Sequence, residues 1–360
     1  MAMVRKRRVL VVDDSAVSRR LLTRAILSGP DLEVVAEAPD AFSAHALIAQ
    51  HQPDLITLDL EMPQMDGLAF LRHLMANDPR PVIVVSSHTP MGSARSLEAL
   101  RVGAADVILK PAAPVSFTQF AHHLTRRISE AAGYRVQRVP FTAVATHAGP
   151  LVPGAAPPDG LIVIGASTGG PQALETLLSN LPTNLPPIVV VQHMPPEFTL
   201  LLAKHLDAAS PMRVVEGQHG EPLARGSAYI APGGRHLTIE RDAAGLRIAL
   251  THRRPVHYQR PSVDVLFHSV AALRGIRVVA VLLTGMGEDG ADGMAALAKA
   301  GHQTIAQDER TSLIFGMPRA AIDRGAARRV ISLEHIPAVV IDCLRAKRSS
   351  IRTGGNAIGI

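Results

Sequence analysis

Short apolar runs rich in β-branched residues recur along the chain, and a stretch with helical spacing follows each one. In the first third the runs are 8–12, 33–37, 55–60, 82–86 and 106–109. None alternates polar with apolar residues, so each predicted strand has two buried faces, the pattern of a parallel sheet covered by helices on both sides. Runs at 161–164, 188–191 and 278–283 repeat the pattern later in the chain. The fold class expected is α/β, with two doubly wound parallel-sheet domains. Between them, Pro140, Pro150, Pro153, Pro157 and Pro158 alternate with Gly149 and Gly154, and no apolar period survives. That composition reads as a flexible linker. The expected division is a first domain at 1–126, a linker at 127–159, a second domain at 160–345 and a basic tail at 346–360.

Composition narrows the function. Of 360 residues, 47% are hydrophobic and 19% charged, which excludes wholesale disorder. Aromatics are 3% and Trp is absent, so a surface of stacked aromatic platforms for single-stranded nucleic acid has little material. The net charge of +6 is concentrated in Arg345, Lys347, Arg348 and Arg352, while 160–344 is nearly balanced at 17 basic against 16 acidic residues. No nucleic-acid partner is expected. A lone cysteine, Cys343, excludes an intramolecular disulfide and suits a reducing, cytoplasmic setting. The apolar runs are too short for a secretory signal or a membrane span, and no membrane insertion is expected. The 16 histidines are scattered without a His-Glu-x-x-His pattern, so no transition metal is expected.

In doubly wound sheets the working groups lie at the carboxyl ends of the strands. The first domain ends its strands in Asp13-Asp14, Asp59, Ser86-Ser87 and Lys110-Pro111. Three converging carboxylates repel one another and need a cation, and hard oxygen ligands suit Mg2+. An aspartate between Mg2+ and a lysine can attack a phosphoryl donor, because both cations offset the charge that develops.

The second domain has three strand ends of interest. Run 161–164 leads into Gly165-Ala-Ser-Thr-Gly-Gly170, which exposes Ser167 on a tight turn at a helix N-terminus; such a turn serves a nucleophile or binds a phosphate. Run 188–191 ends at Gln192-His193, a candidate general base. Run 278–283 ends in Thr284-Gly285-Met286-Gly287-Glu288-Asp289-Gly290. Its glycines, with Asp308 further on, match a dinucleotide fingerprint, although Glu288 and Asp289 would repel a pyrophosphate. Alternatively, Asp289 orients His193, which activates Ser167.

Two resemblances follow. Residues 9–15, 58–67, 84–87 and 110–111 resemble the receiver domain of bacterial two-component response regulators. This implies a five-stranded flavodoxin-like fold, with Asp59 as phosphoacceptor and Asp13, Asp14 and Asp59 holding Mg2+ with the backbone carbonyl of Glu61. Ser86 and Lys110 would read the phosphate, Ser86 replacing the family's frequent Thr. Residues 165–171, 192–195, 231–236, 260–267 and 283–290 resemble the catalytic domain of the chemotaxis protein-glutamate methylesterases, which implies a Rossmann-like α/β/α domain. Ser167 would then be nucleophile, His193 base and Asp289 its orienting acid, with backbone N–H groups near Thr168 and Met286 as oxyanion donors. Substrates would be glutamate methyl esters, and in some members glutamines, on methyl-accepting chemoreceptors, and a chemotaxis histidine kinase would supply the phosphoryl group. The esterase reaction needs no cofactor, and a monomer is expected.

Overall fold

The computed structural model describes residues 5–62, 66–86, 90–111, 117–133 and 160–345. Residues 134–159 of the expected linker and the tail at 346–360 lie outside the described residues.

The first domain runs β1 (Arg7–Val12), α1 (Ala16–Ile26), β2 (Leu32–Ala38), α2 (Ala41–His51), β3 (Leu55–Leu58), α3 (Gly67–Asn77), β4 (Val82–Ser86), α4 (Pro90–Val102), β5 (Asp106–Leu109) and α5 (Phe117–Ala131). Its five strands are parallel in the order β2-β1-β3-β4-β5. The order reverses between β1 and β3, so their carboxyl ends flank the crevice where such sheets bind ligands. Helix α5 continues past residue 126, the expected end of the domain, because its apolar stripe does. Ile128 and Ala131 are fully buried, and Arg127, also buried, ion-pairs with Asp106 and Glu130.

The second domain runs β6 (Gly160–Ala166), α6 (Gly170–Ser179), β7 (Ile188–Gln192), α7 (Pro196–Ala209), β8 (Arg213–Glu216), β9 (Ser227–Ile230), β10 (His236–Asp242), β11 (Gly245–Thr251), α8 (Val263–Ala271), β12 (Arg277–Leu282), α9 (Ala291–Lys299), β13 (Gln303–Gln307), α10 (Met317–Asp323), β14 (Arg329–Ile331) and α11 (Ile336–Arg345). Seven parallel strands follow the order β14-β13-β12-β6-β7-β9-β8, and β10 and β11 form a separate antiparallel hairpin. Both expectations of a parallel α/β sheet hold. The alternation along β6 explains its unbroken apolar run: Ile162 and Ile164 pack toward α6, α7 and α11, while Leu161 and Val163 pack toward α8, α9 and the hairpin. Each such side chain, fully buried, contributes roughly 1.5–3 kcal/mol.

The chain steps from β6 to β7 on one side and later returns to β12 on the other. The carboxyl ends of β12, β6 and β7 therefore lie side by side, where the topology switches. Among the described residues no helix is long and apolar enough to cross a membrane.

Candidate active site

Ser167, His193 and Asp289 follow β6, β7 and β12, three adjacent strands. Ala166 pairs with Gln192 at the last rung of β6 and β7, so Ser167 and His193 occupy the next positions on neighbouring strands. Two backbone bonds hold the turn, from Ser167 N to Thr284 O (3.0 Å) and from His193 N to Ala166 O (3.0 Å).

Gln192 adds a clamp. Its buried Nε2 donates to the carbonyls of both Ser167 (2.8 Å) and His193 (3.0 Å). Gly170, the first residue of α6, admits that side chain: a Cβ there would stand 1.9 Å from Gln192 Oε1. The glycines of this motif answer to close packing as well as to the turn.

The imidazole of His193 is oriented by Asp289, with Nε2 2.7 Å from Oδ2 and both side chains almost wholly buried. The other ring nitrogen, Nδ1, is buried and has no hydrogen-bond partner among the described residues. It is the nitrogen left to take a proton. Asp289 Oδ2 also accepts from Val263 N (2.7 Å), and Oδ1 accepts from Ser262 Oγ (2.8 Å) and Asp264 N (3.0 Å). These donors are the N-terminus of α8 and its N-cap serine, where a negative charge is favoured. Burial works to raise the Asp289 carboxyl, but the bond and charge of His193, with the Asp264 amide and Ser262 hydroxyl, outweigh it and hold the group at about 2. A fixed carboxylate beside an imidazole with one free nitrogen is the arrangement that activates a hydroxyl.

Thr168 and Met286 are buried, and their backbone N–H groups make no hydrogen bond among the described residues. The Thr168 side chain points elsewhere: its Oγ1 donates to the carbonyl of Ala105 in the first domain (2.8 Å). Met286 and Ile314 share an apolar cluster with residues of α1 and α5. Helix α4 packs against α6 and α7, and Arg101 pairs with Glu175 (3.0 Å). The first domain thus lies against the edge that carries Ser167.

The dinucleotide alternative finds no support. A Cβ at Gly285 would meet Met317 Sδ at 2.3 Å and Ser167 Cβ at 2.8 Å, and one at Gly290 would meet Val263 Cγ1 at 2.7 Å. Packing accounts for those glycines. Glu288 is paired with Arg324 (2.7 Å), and Asp308 accepts from the amide and hydroxyl of Thr311. Of the nearby pair Arg235-His236, Arg235 is exposed and His236 is buried with Nε2 3.0 Å from Arg254 O.

In the first domain, Asp13, Asp14 and Asp59 each bring a carboxylate oxygen within 4.8 Å of the others. Lys110 Nζ lies 2.5 Å from Asp59 Oδ2 and 2.9 Å from Asp13 Oδ2. Lys110 is thus ion-paired to both carboxylates, and the buried Asp13 Oδ2 has no other polar partner among the described residues. Burial raises the Asp13 carboxyl above the usual range, with the charge of Asp59 adding to it against the pull of Lys110. Burial opposes the charge on Lys110, yet its bonds to Asp59 and Asp13 prevail and raise it. Three carboxylates drawn together around a single lysine ammonium carry surplus negative charge that fits a hard divalent cation, and Asp13, Asp14 and Asp59 would be the residues to hold it. Glu61 follows the end of β3, and its amide donates to Asp59 Oδ1 (3.0 Å). Ser86, at the end of β4, is fully buried with its Oγ unpartnered among the described residues, and Ser87 lies outside them.

Gln192, Ser262 and Thr284 support the site but carry no signal of their own in the sequence. Gln192 and Thr284 stood inside motifs read for their neighbours, and Ser262 could have been found as the N-cap three residues before a helical turn.

Residues 162–340 match the CheB methylesterase family, and residues 9–122 match the response regulator receiver domain. A protein-glutamate methylesterase/protein-glutamine glutaminase of Paraburkholderia xenovorans is 46% identical over 341 residues, spanning 92% of this chain and 94% of the relative. One from Pseudomonas aeruginosa is 42% identical over 356 residues, spanning 97% and 99%. The crystal structure of the Thermotoga maritima CheB methylesterase catalytic domain is 41% identical with a TM-score of 0.50, covering 51% of this chain and 97% of that one. The chain belongs to the CheB methylesterase family and carries a response regulator receiver domain ahead of its esterase domain.

Proposed function

We propose that this protein demethylates glutamate methyl esters on the cytoplasmic helices of chemoreceptors, and that phosphorylation of its receiver domain controls the rate. Family membership makes it a methylesterase. One observation carries the choice of residues: a buried His193–Asp289 pair at 2.7 Å with Nδ1 free, one strand from Ser167. In this reading Ser167 Oγ attacks the ester carbonyl carbon and its proton passes to His193 Nδ1. The oxyanion is met by the amides of Thr168 and Met286. When the tetrahedral adduct collapses, the methoxy oxygen takes the proton from His193 and leaves as methanol. Water then enters by the same route, giving its proton to His193, and the acyl-enzyme is hydrolysed to glutamate and free Ser167. A receptor glutamine would react alike with ammonia leaving, a reading the double name of the relatives supports.

The receiver would take its phosphoryl group on Asp59 from a chemotaxis histidine kinase. Bound Mg2+ would neutralise the phosphoryl oxygens, while Lys110 and Ser86 would meet the phosphate. The domains divide near residue 133, where α5 has ended, and the working location is the cytoplasm. Because α4 and the Ala105 carbonyl lie on the esterase edge, the unphosphorylated receiver is the cover, and phosphorylation shifts the population toward an uncovered state.

The test is methanol release from methylated chemoreceptor membranes by wild type, Ser167→Ala and Asp59→Asn, each with and without a small phosphodonor. Release is expected to require Ser167 and to rise with the donor in wild type alone. Release by Ser167→Ala at the wild-type rate would overturn the nucleophile assignment, and a donor response in Asp59→Asn would overturn the switch.

A further inference from the structure

Behind Asp289 lies a second histidine–carboxylate pair that the proposed chemistry does not use. Asp264, the second residue of α8, is buried, and its Oδ2 lies 3.2 Å from Nε2 of His257. Its Oδ1 accepts from Gly293 N (2.7 Å). His257, Asp264 and Asp289 each have a ligand-type atom within 4.8 Å of the others. A metal ion there would have to displace existing bonds, since each oxygen of Asp289 already accepts two donors. The trio is closed by hydrogen bonds, so its chemistry is electrostatic.

The backbone around His257 is held at a cost. Val256 and Gln259 exchange two backbone hydrogen bonds (3.1 and 2.8 Å), and the residues between them, His257 and Tyr258, have φ of 48° and 60°. A two-residue turn with two left-handed positions prefers Asn and Gly, and each larger residue there costs on the order of 1–2 kcal/mol. The strained turn places the imidazole on Asp264.

We propose that His257 and Asp264 are positioning residues that set the charge seen by Asp289, and through it the basicity of His193. The proposal rests on the reading of Ser167, His193 and Asp289 given above. Paired with the His257 imidazole, the Asp264 carboxylate is offset and adds little to the field of Asp289. Without that partner, a second negative charge stands behind Asp289 and favours the imidazolium of His193. Burial, with the charge of Asp289 contributing, raises the Asp264 carboxyl despite its bond from Gly293, in keeping with a carboxylate that needs a counter-charge. The other groups facing His257 are accounted for. Glu288 Oε1 lies 3.8 Å from Nδ1, but Glu288 is bonded to Arg324, which also reaches Asp292 (2.9 Å). From the receiver, Arg126 stacks over Tyr258 at 4.8 Å.

The experiment is the rate at which a fluorophosphonate labels Ser167 in the full-length protein from pH 5 to 9. Wild type, His257→Gln, His257→Lys and Asp264→Asn are compared, with Ser167→Ala as the blank. In Asp264→Asn the backbone amide still donates to Asp289 and the side-chain carbonyl can still accept from Gly293. The acid limb of the profile is expected to move up by about half a pH unit or more in His257→Gln and down by a similar amount in Asp264→Asn. His257→Lys, which restores the positive charge, returns it to the wild-type position. A merely structural role would lower the rates without moving the two limbs in opposite directions. Unmoved limbs, or limbs that move the same way, would overturn the proposal. Failure of wild type to label any faster than Ser167→Ala would instead overturn the reading of the triad.

Discussion

Each domain gathers buried carboxylates at the switch point of a parallel sheet, and the two gatherings are finished differently. Both oxygens of Asp289 accept two hydrogen bonds, so its charge is fixed and its partner ring is aimed. In the receiver, the buried Asp13 Oδ2 has only the Lys110 ammonium beside it among the described residues, and that ammonium is shared with Asp59. The difference follows from what stands in front of the strand end. In the esterase domain the N-terminus of α8 delivers the amides of Val263 and Asp264 and the hydroxyl of Ser262. In the receiver, on the proposed reading, a cation and a phosphoryl group that come and go would fill the same office. A completed charge suits repeated chemistry, whereas an incomplete one suits a switch.

The largest break in this comparison is Asp289→Asn. Losing the fixed charge should lower kcat for methanol release by about 10⁴-fold, the cost when a triad acid is replaced by its amide. The protein should stay folded by circular dichroism, and a fall of less than tenfold would remove Asp289 from the mechanism. Next in size is cation binding. If the receiver cluster is incomplete without a cation, Mg2+ at about 100 times its dissociation constant should stabilise the receiver by about 2.7 kcal/mol. Thermal unfolding of wild type should shift upward accordingly, and Asp13→Asn should blunt the shift. Equal shifts in both proteins would place the ion elsewhere.

The third concerns acid. The Asp289 carboxyl is held at about 2, below its ordinary 3.8. Its contribution to stability is therefore fully present above pH 3.8 and is lost as pH falls through about 2. That loss amounts to about 2 kcal/mol for wild type. The stability gap between wild type and Asp289→Asn, measured by denaturant titration, should narrow across that window and stay constant from pH 5 to 7. A gap that narrows above pH 5 would mean that another group dominates.

The same contrast shows what a sequence can display. Strands buried on both faces print as unbroken apolar runs, so β1, β3 to β7 and β12 stand out, and the polar residues after them mark the site. Strands β8 and β14 at the sheet edge, with mixed burial, leave no such print, nor does the β10–β11 hairpin, whose outer face is half solvated. The proposed triad is legible because Ser167 and His193 directly follow strands and Asp289 lies in the turn that follows β12. Gln192 is not, because its work depends on a contact with Ser167, 25 residues away; Ser262 shows only as an N-cap, its bond to Asp289, 27 residues on, being set by the fold. The late glycines mislead for the same reason: Gly285 is required by Met317 and Ser167, which only the fold brings against it. At the domain boundary, the stripe of α5 runs on through Ile128 to Ala131, while the change in composition begins after it.

The smallest effect falls where the two domains meet. Arg101 on α4 donates to Glu175 on α6 from Nε (3.1 Å) and Nη2 (3.3 Å), and His205 Nε2 lies 3.0 Å from the same carboxylate. Both partners are about 30% exposed, so the pair is screened by solvent. It should contribute no more than about 1 kcal/mol to the covered state. Arg101→Ala should therefore raise methanol release without phosphodonor by no more than about fivefold, and leave the fully phosphorylated rate unchanged because the cover is then already displaced. Salt gives an independent arm: 1 M NaCl weakens an exposed pair, so it should raise the basal rate of wild type more than that of Arg101→Ala. An identical salt response in the two proteins, with equal basal rates, would mean that the cover is held without this pair, by the packing of α4 on α6 and α7 and the buried contacts of Thr168 and Met286.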